Sequence, residues 1–213
     1  MLSNDWKYGF ATHELREAFI IRGYGLGPAE HDYLKHYLLK PGDVYIEAGA
    51  EKGRTGFLAQ AMGATVILIE PDPKAMKVIH EKQSQHYLNA TTVEAALWSQ
   101  KGHASFTQGP GNGNRIELSE SGIIVNVETL PNIIKELNIT KVNLFACDIE
   151  GAEVEVVKTL DPKTVLNVAI ASYHLGTFEK VENQIMKVLE TKGYKNISYE
   201  DGLVFASSSD RNC

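Results

Sequence analysis

Acidic side chains stand at the ends of three apolar runs in this chain, and a histidine follows a fourth. Glu47 closes Val44-Tyr45-Ile46, Glu70 closes TVILIE (Thr65–Glu70), and Asp148 and Glu150 come directly after VNLFAC (Val142–Cys147). His174 follows the run Val165–Ala171. Runs rich in β-branched and aromatic residues read as buried strands, and in an open parallel sheet ligands bind at the carboxyl ends of strands. Carboxylates at that edge can accept hydrogen bonds from a sugar or face a cation. Glu70 falls about twenty residues after Gly49, the separation at which an acid meets ribose hydroxyls in a βαβ unit. His174 titrates in the range a general base needs, which makes it the candidate for removing a proton. Asp148, Glu150 and His174 could instead hold magnesium and polarise a hydroxyl. Asp148 and Glu150 also suit plainer work, capping a helix and complementing its dipole.

The elements that must position these groups alternate between strand and helix. Between Glu47 and the next strand lie Gly49, Ala50 and Gly53, then a helix from Arg54 to Met62 with Phe57, Leu58, Ala61 and Met62 on one face. Glycines let backbone approach a ligand without a Cβ in the way, and the free N–H groups of a helix start attract anionic groups. The dinucleotide fingerprint G-x-G-x-x-G fails here, since its second and third glycines would fall on Glu51 and Arg54. That disfavours an NAD-binding oxidoreductase. Pro71-Asp72-Pro73 leads into a helix from about Lys74 to His86, and Thr91–Leu97 reads as the third strand, with Glu94–Leu97 at its carboxyl end. Later strands are expected at His103–Gln108, Ile123–Thr129, Val142–Cys147 and Val165–Ala171, with helices at Leu130–Leu137, Val154–Leu160 and Glu179–Lys192. Gly193–Tyr199 and Leu203–Ala206 close the chain as an antiparallel pair. Ahead of the sheet, residues 1–42 read as a helical cap, with one helix over His13–Arg22 and a second from Pro28 to about Leu39. Tyr24, Glu30, His31 and Tyr33 are its candidates to face a substrate.

With 213 residues the chain suits a single compact domain of α/β type. Its net charge of −6 and the absence of any dense basic run argue against nucleic acid as a partner. Two cysteines give no disulfide framework; Cys147 sits in an apolar run as a small core residue. No signal pattern or membrane-length apolar run is present, so the expectation is a cytoplasmic protein that does not contact membrane. Oligomeric state is not legible.

The acid, spacer and G-A-x-x-G at Glu47–Gly53 resemble motif I of class I methyltransferases that use S-adenosylmethionine (SAM). More specifically, VYIEAGAEKG (44–53), ILIEPDPKA (67–75), the pair Ala96-Leu97, FACDIEGAEVEVVKTL (145–160) and ASYH (171–174) resemble the FkbM-like family, over roughly residues 40 to 207. The resemblance implies a Rossmann-like fold: a mostly parallel seven-stranded sheet with an antiparallel C-terminal strand and helices on both faces. It implies a SAM-binding domain over 43–213 that methylates an oxygen of a small molecule or sugar by in-line transfer. The other reading is a SAM- or nucleotide-binding module without catalysis. Glu47, Gly49, Ala50 and Gly53 would line the methionine end of SAM, and Glu70 would hold the ribose. Pro71 and Asp72 would flank the adenosine, while Glu94, Ala96 and Leu97 would border the adenine. Asp148 and Glu150 would lie beside the sulfonium and the acceptor. Two positions depart from the family pattern: Ala146 stands where a lysine is usual, and Leu130-Pro131-Asn132 where L-D-D is frequent.

Overall fold

The computed structural model describes residues 33–86, 89–107, 115–117, 123–172 and 181–209. Its first half comprises β1 (Val44–Ala48), α1 (Arg54–Ala61), β2 (Thr65–Ile69), α2 (Pro73–His86), β3 (Thr91–Val93), β4 (Ala96–Leu97), β5 (Gly102–Thr107) and β6 (Arg115–Glu117). Then follow β7 (Ile123–Glu128), α3 (Leu130–Glu136), β8 (Leu144–Cys147), α4 (Glu153–Val157), β9 (Asn167–Ala171), α5 (Val181–Lys192), β10 (Lys195–Glu200) and β11 (Leu203–Ser207). Seven strands form one sheet in the order β10-β11-β9-β8-β1-β2-β3. β1 lies inside the sheet, parallel to β2 on one side and to β8 on the other, and β11 runs antiparallel to both β9 and β10. This is the architecture that the family resemblance implies.

Strand alternation sorts the core onto the two faces. Tyr45, Leu68, Leu144 and Ala146 pack with Phe57, Leu58, Met76 and Ile79 of α1 and α2. Ile46, Ile67, Phe145 and Cys147 pack on the other side with Leu130 and Ile133 of α3, Val156 of α4, and Ile185 and Leu189 of α5. Burying both faces explains why these strands read as continuous apolar runs. Cys147 is fully buried, which pushes its thiol well above the usual range and leaves it a core residue.

Two stretches differ from the sequence reading. Thr91–Leu97 is two strands, because the chain leaves the main sheet after β3. β4 then pairs in parallel with β7 in a second sheet, ordered β4-β7-β5-β6. That sheet closes over its own small core of Ala96, Ala104, Phe106, Val125 and Val127. Residues 33–39 are turn and extended chain where a helix was expected. Leu34 and Leu39 are buried in the core on the α1 face, and the hydroxyl of Tyr37 donates to Asp43 Oδ2 at 3.2 Å, so tertiary burial overrides the local helical signal. The predicted helix at 13–22 lies outside the described residues. Among those described, no helix is long and apolar enough to cross a membrane.

Candidate active site

The turn after β1 is built on left-handed backbone. Gly49, Glu51 and Gly53 have φ of 77°, 47° and 67°. The amides of Gly49 and Ala50 both donate to the Ile69 carbonyl, at 3.0 and 3.2 Å, tying the turn to the tip of β2. Gly53 is the N-cap of α1 and offers no side-chain cap; in the first turn the Gly56 amide instead bonds the Glu47 carboxylate. A Cβ on Gly49 would sit 1.7 Å from the Asp148 carbonyl oxygen, so the turns after β1 and β8 touch through backbone alone.

Four carboxylates converge on these strand tips. Glu70 is buried and takes two backbone amides, from Glu51 at Oε2 (2.8 Å) and from Asp72 at Oε1 (2.9 Å). Burial still raises its pKa, because desolvation outweighs the two amides. Asp72 is the N-cap of α2: its Oδ1 accepts from Lys74 N at 2.9 Å and its carbonyl from Met76 N. Glu47 is 8 % exposed, and its Oε2 has no hydrogen-bond partner. Desolvation pushes its pKa up to about 8, with the charges of Asp148 and Glu70 adding to the rise; the Gly56 amide and Thr55 hydroxyl offset it only in part. Asp148 is half-buried and its Oδ2 accepts from the Tyr33 hydroxyl at 2.7 Å.

The helix-capping alternative for Asp148 fails, since the N-cap of α4 is Ala152 and no side chain caps it. The fixing is done instead by Glu153, which the sequence reading passed over. Its side chain is fully buried; Oε1 accepts from Ile149 N at 3.0 Å and Oε2 from Gly151 N at 2.9 Å. A carboxylate inside the apolar run Ala152–Val157 was the available signal, because an acid there needs donors. Glu153→Ala strands both amides, and the expected loss is about 2–4 kcal/mol in urea unfolding. Glu150 stands in the same loop with φ of 60°.

The other expected site residues are less tightly gathered. Glu94 is exposed just past β3; Ala96 packs in the second sheet's core and Leu97 in the core under the main sheet. Pro71 is half-buried beside Asp72. His174 lies outside the described residues, as do Tyr24, Glu30 and His31. Among the described residues no group of three His, Cys, Asp or Glu has a geometry for a metal ion.

Strand order, the reversed strand β11 and a glycine turn flanked by acidic strand tips define a class I methyltransferase fold. The structure resembles that of M. capricolum TrmK in complex with S-adenosyl-homocysteine (SAH), with TM-score 0.53 at 13% identity over 86% of this chain and 69% of that one. Aeropyrum pernix fibrillarin with bound S-adenosyl-L-methionine gives 0.52 at 14%, covering 84% and 73%. Precorrin-6y C5,15-methyltransferase from Geobacter metallireducens GS-15 gives 0.53 at 12%, covering 97% and 96%. Sequence comparison with curated proteins gives no match. The sequence model of the methyltransferase FkbM domain matches residues 47–195, and the chain belongs to that family of SAM-dependent methyltransferases.

Proposed function

We propose that the crevice over the tips of β1, β2 and β8 binds SAM and that the chain methylates an oxygen of a small molecule or sugar. The observation that carries this reading is the unpartnered, buried Glu47 Oε2 beside the left-handed turn that follows β1. A cationic group fits such an atom, and SAM carries both an ammonium and a sulfonium. SAM supplies the electrophilic methyl group, and in-line transfer needs no covalent enzyme intermediate. The protein's contribution is alignment, which can supply up to about 7–11 kcal/mol.

In this reading Glu47, Gly49, Ala50 and Gly53 hold the amino-acid end, and Glu70 keeps lone pairs for the ribose hydroxyls while bracing the turn. Pro71 and Asp72 flank the adenosine, with Glu94, Ala96 and Leu97 toward the adenine. Asp148 and Glu150 face the sulfonium and the acceptor, and His174 takes the proton from the acceptor hydroxyl. A small neutral acceptor rather than nucleic acid is favoured by the charge of −6 and the lack of a basic run.

Glu70→Ala tests the cofactor assignment. By calorimetry its SAM affinity falls tenfold or more, about 1.4 kcal/mol. Unchanged affinity would remove Glu70 from the ribose. Transfer of radiolabelled methyl to a pool of hydroxylated small molecules and sugars tests catalysis. Label that stays on the cofactor with every acceptor would leave a binding module.

A further inference from the structure

The loop that leaves β8 carries Asp148 and Glu150 and reaches α4 at Glu153. It turns through two consecutive left-handed residues, Glu150 at φ of 60° and Gly151 at φ of 114°. Glycine takes such a conformation freely, but for Glu150 it is unfavourable, so the surroundings must hold the loop in this shape. The helix start gives little help, since α4 has five residues and its N-cap, Ala152, makes no side-chain cap. Glu153 supplies the hold from the first helical position. It is fully buried, and its two oxygens take the amides of the residues flanking Glu150: Oε1 accepts from Ile149 N at 3.0 Å and Oε2 from Gly151 N at 2.9 Å. Burial first, and then the charges of Glu153 and Asp148, hold the Cys147 thiol well above its ordinary range, which sets the Glu153 carboxylate close to the last residue of β8.

At its front the same loop is interlocked with the turn after β1. The Asp148 amide donates to the Ala48 carbonyl at 2.9 Å, and the Asp148 carbonyl oxygen lies 1.7 Å from where a Cβ on Gly49 would stand. The loop therefore cannot shift without moving that turn. We propose that Glu153 is a positioning residue: by gripping the amides on both sides of Glu150 it sets the 148–152 loop in its binding shape before SAM arrives. This rests on the SAM reading above. A loop shaped in advance spares the ligand the cost of ordering it, and a loop left for the ligand to order binds it more weakly. A carboxylate suits the task because both of its oxygens accept, whereas a glutamine would turn an NH2 group towards one of the two backbone donors.

Amide hydrogen exchange and titration calorimetry with SAM, both on the full chain, test this. In wild type the Ile149 and Gly151 amides are protected before any ligand is added. In Glu153→Gln they exchange about tenfold faster or more, SAM restores their protection, and the SAM dissociation constant rises about tenfold. Glu153→Asp keeps the charge but falls one methylene short of the two amides; it gives the same pattern and takes over the test where Glu153→Gln does not fold. Gly193→Ala, outside the loop at φ of 91°, is the control for lost stability alone. It lowers the melting temperature and leaves SAM affinity within about twofold of wild type. Loop amides that exchange freely in wild type until SAM is added would overturn the positioning role, as would a folded Glu153→Gln that binds SAM like wild type. So would a Gly193→Ala that weakens SAM as much as Glu153→Gln does. Each of these leaves the SAM reading intact. Wild-type protein that binds no SAM would overturn the SAM reading itself, and the proposal with it.

Discussion

Gly49→Ala is expected to destabilise the protein by about 4 kcal/mol or more, which lies in the exceptional range for a single substitution. Two costs add. The backbone sits at φ of 77°, where an L side chain costs about 1–2 kcal/mol. The new Cβ would also lie 1.7 Å from the Asp148 carbonyl oxygen and 2.7 Å from its carbon. Both are backbone atoms, so relief requires the turns after β1 and β8 to separate. Separation breaks the Asp148 N–H bond to Ala48 and the Gly49 and Ala50 bonds to Ile69. Gly193→Ala is the control. Its φ is 91° with nothing within 4 Å of the new Cβ, so only the conformational cost applies and the loss stays near about 1–2 kcal/mol. Urea unfolding of both variants gives the comparison, and equal losses would mean that the contact with Asp148 is not tight. SAM binding should vanish in Gly49→Ala even where the chain still folds.

The main sheet was legible because its signals are local. Residues 44–46 and 66–69 are apolar runs, each followed by a glutamate, and strands buried on both faces must look like that. Glu70 was legible for the same reason, since its place at a strand tip follows from counting along β2. What escaped depends on partners distant in sequence. Nothing in TTVEAAL says that Ala96 and Leu97 abandon β3's sheet for Val127 and Glu128. Nothing in the local sequence says that Leu34 is needed under the sheet, which is why the expected helix is turn and irregular chain over residues 33–39. Glu153 was hidden differently: a carboxylate in the first turn of a helix has an adequate explanation in the helix dipole, although here its two oxygens accept from the amides of Ile149 and Gly151. Gly56 was overlooked inside α1, yet a Cβ there would meet Leu68 Cδ2 at 2.2 Å and Glu47 Oε2 at 2.9 Å. Its absence lets α1 lie close enough to enclose Glu47.

That enclosure gives the protein a pH dependence assigned to one side chain. Glu47 stands in register with Ala146 on β8 and Leu68 on β2, and neither offers a positive charge. The groups facing it are the Thr55 hydroxyl and Gly56 amide, which favour the carboxylate, and Asp148 and Glu70, which oppose it. The buried Tyr45 hydroxyl, two residues along the same face, stays neutral because burial raises its own pKa. With a folded-state pKa of about 8 against an ordinary 4.5, the folded chain keeps a proton that the unfolded chain gives up. Below pH 4.5 both states are protonated and Glu47 costs nothing. As pH rises from there towards 8 the folded state falls behind by about 1.4 kcal/mol per unit, and above 8 the deficit is constant. The expected result is that Glu47→Gln becomes progressively more stable than wild type across that window, by a few kcal/mol at its upper end, as read from urea unfolding at several pH values. A constant difference from pH 4 to 8 would show that Glu47 ionises normally. The same proton links to the cofactor: an ammonium brought against Glu47 favours the carboxylate, so at pH 7 SAM binding should expel about one proton. Calorimetry in two buffers of different ionisation enthalpy reads that proton directly, and in Glu47→Gln the buffer dependence should disappear while SAM binds more weakly.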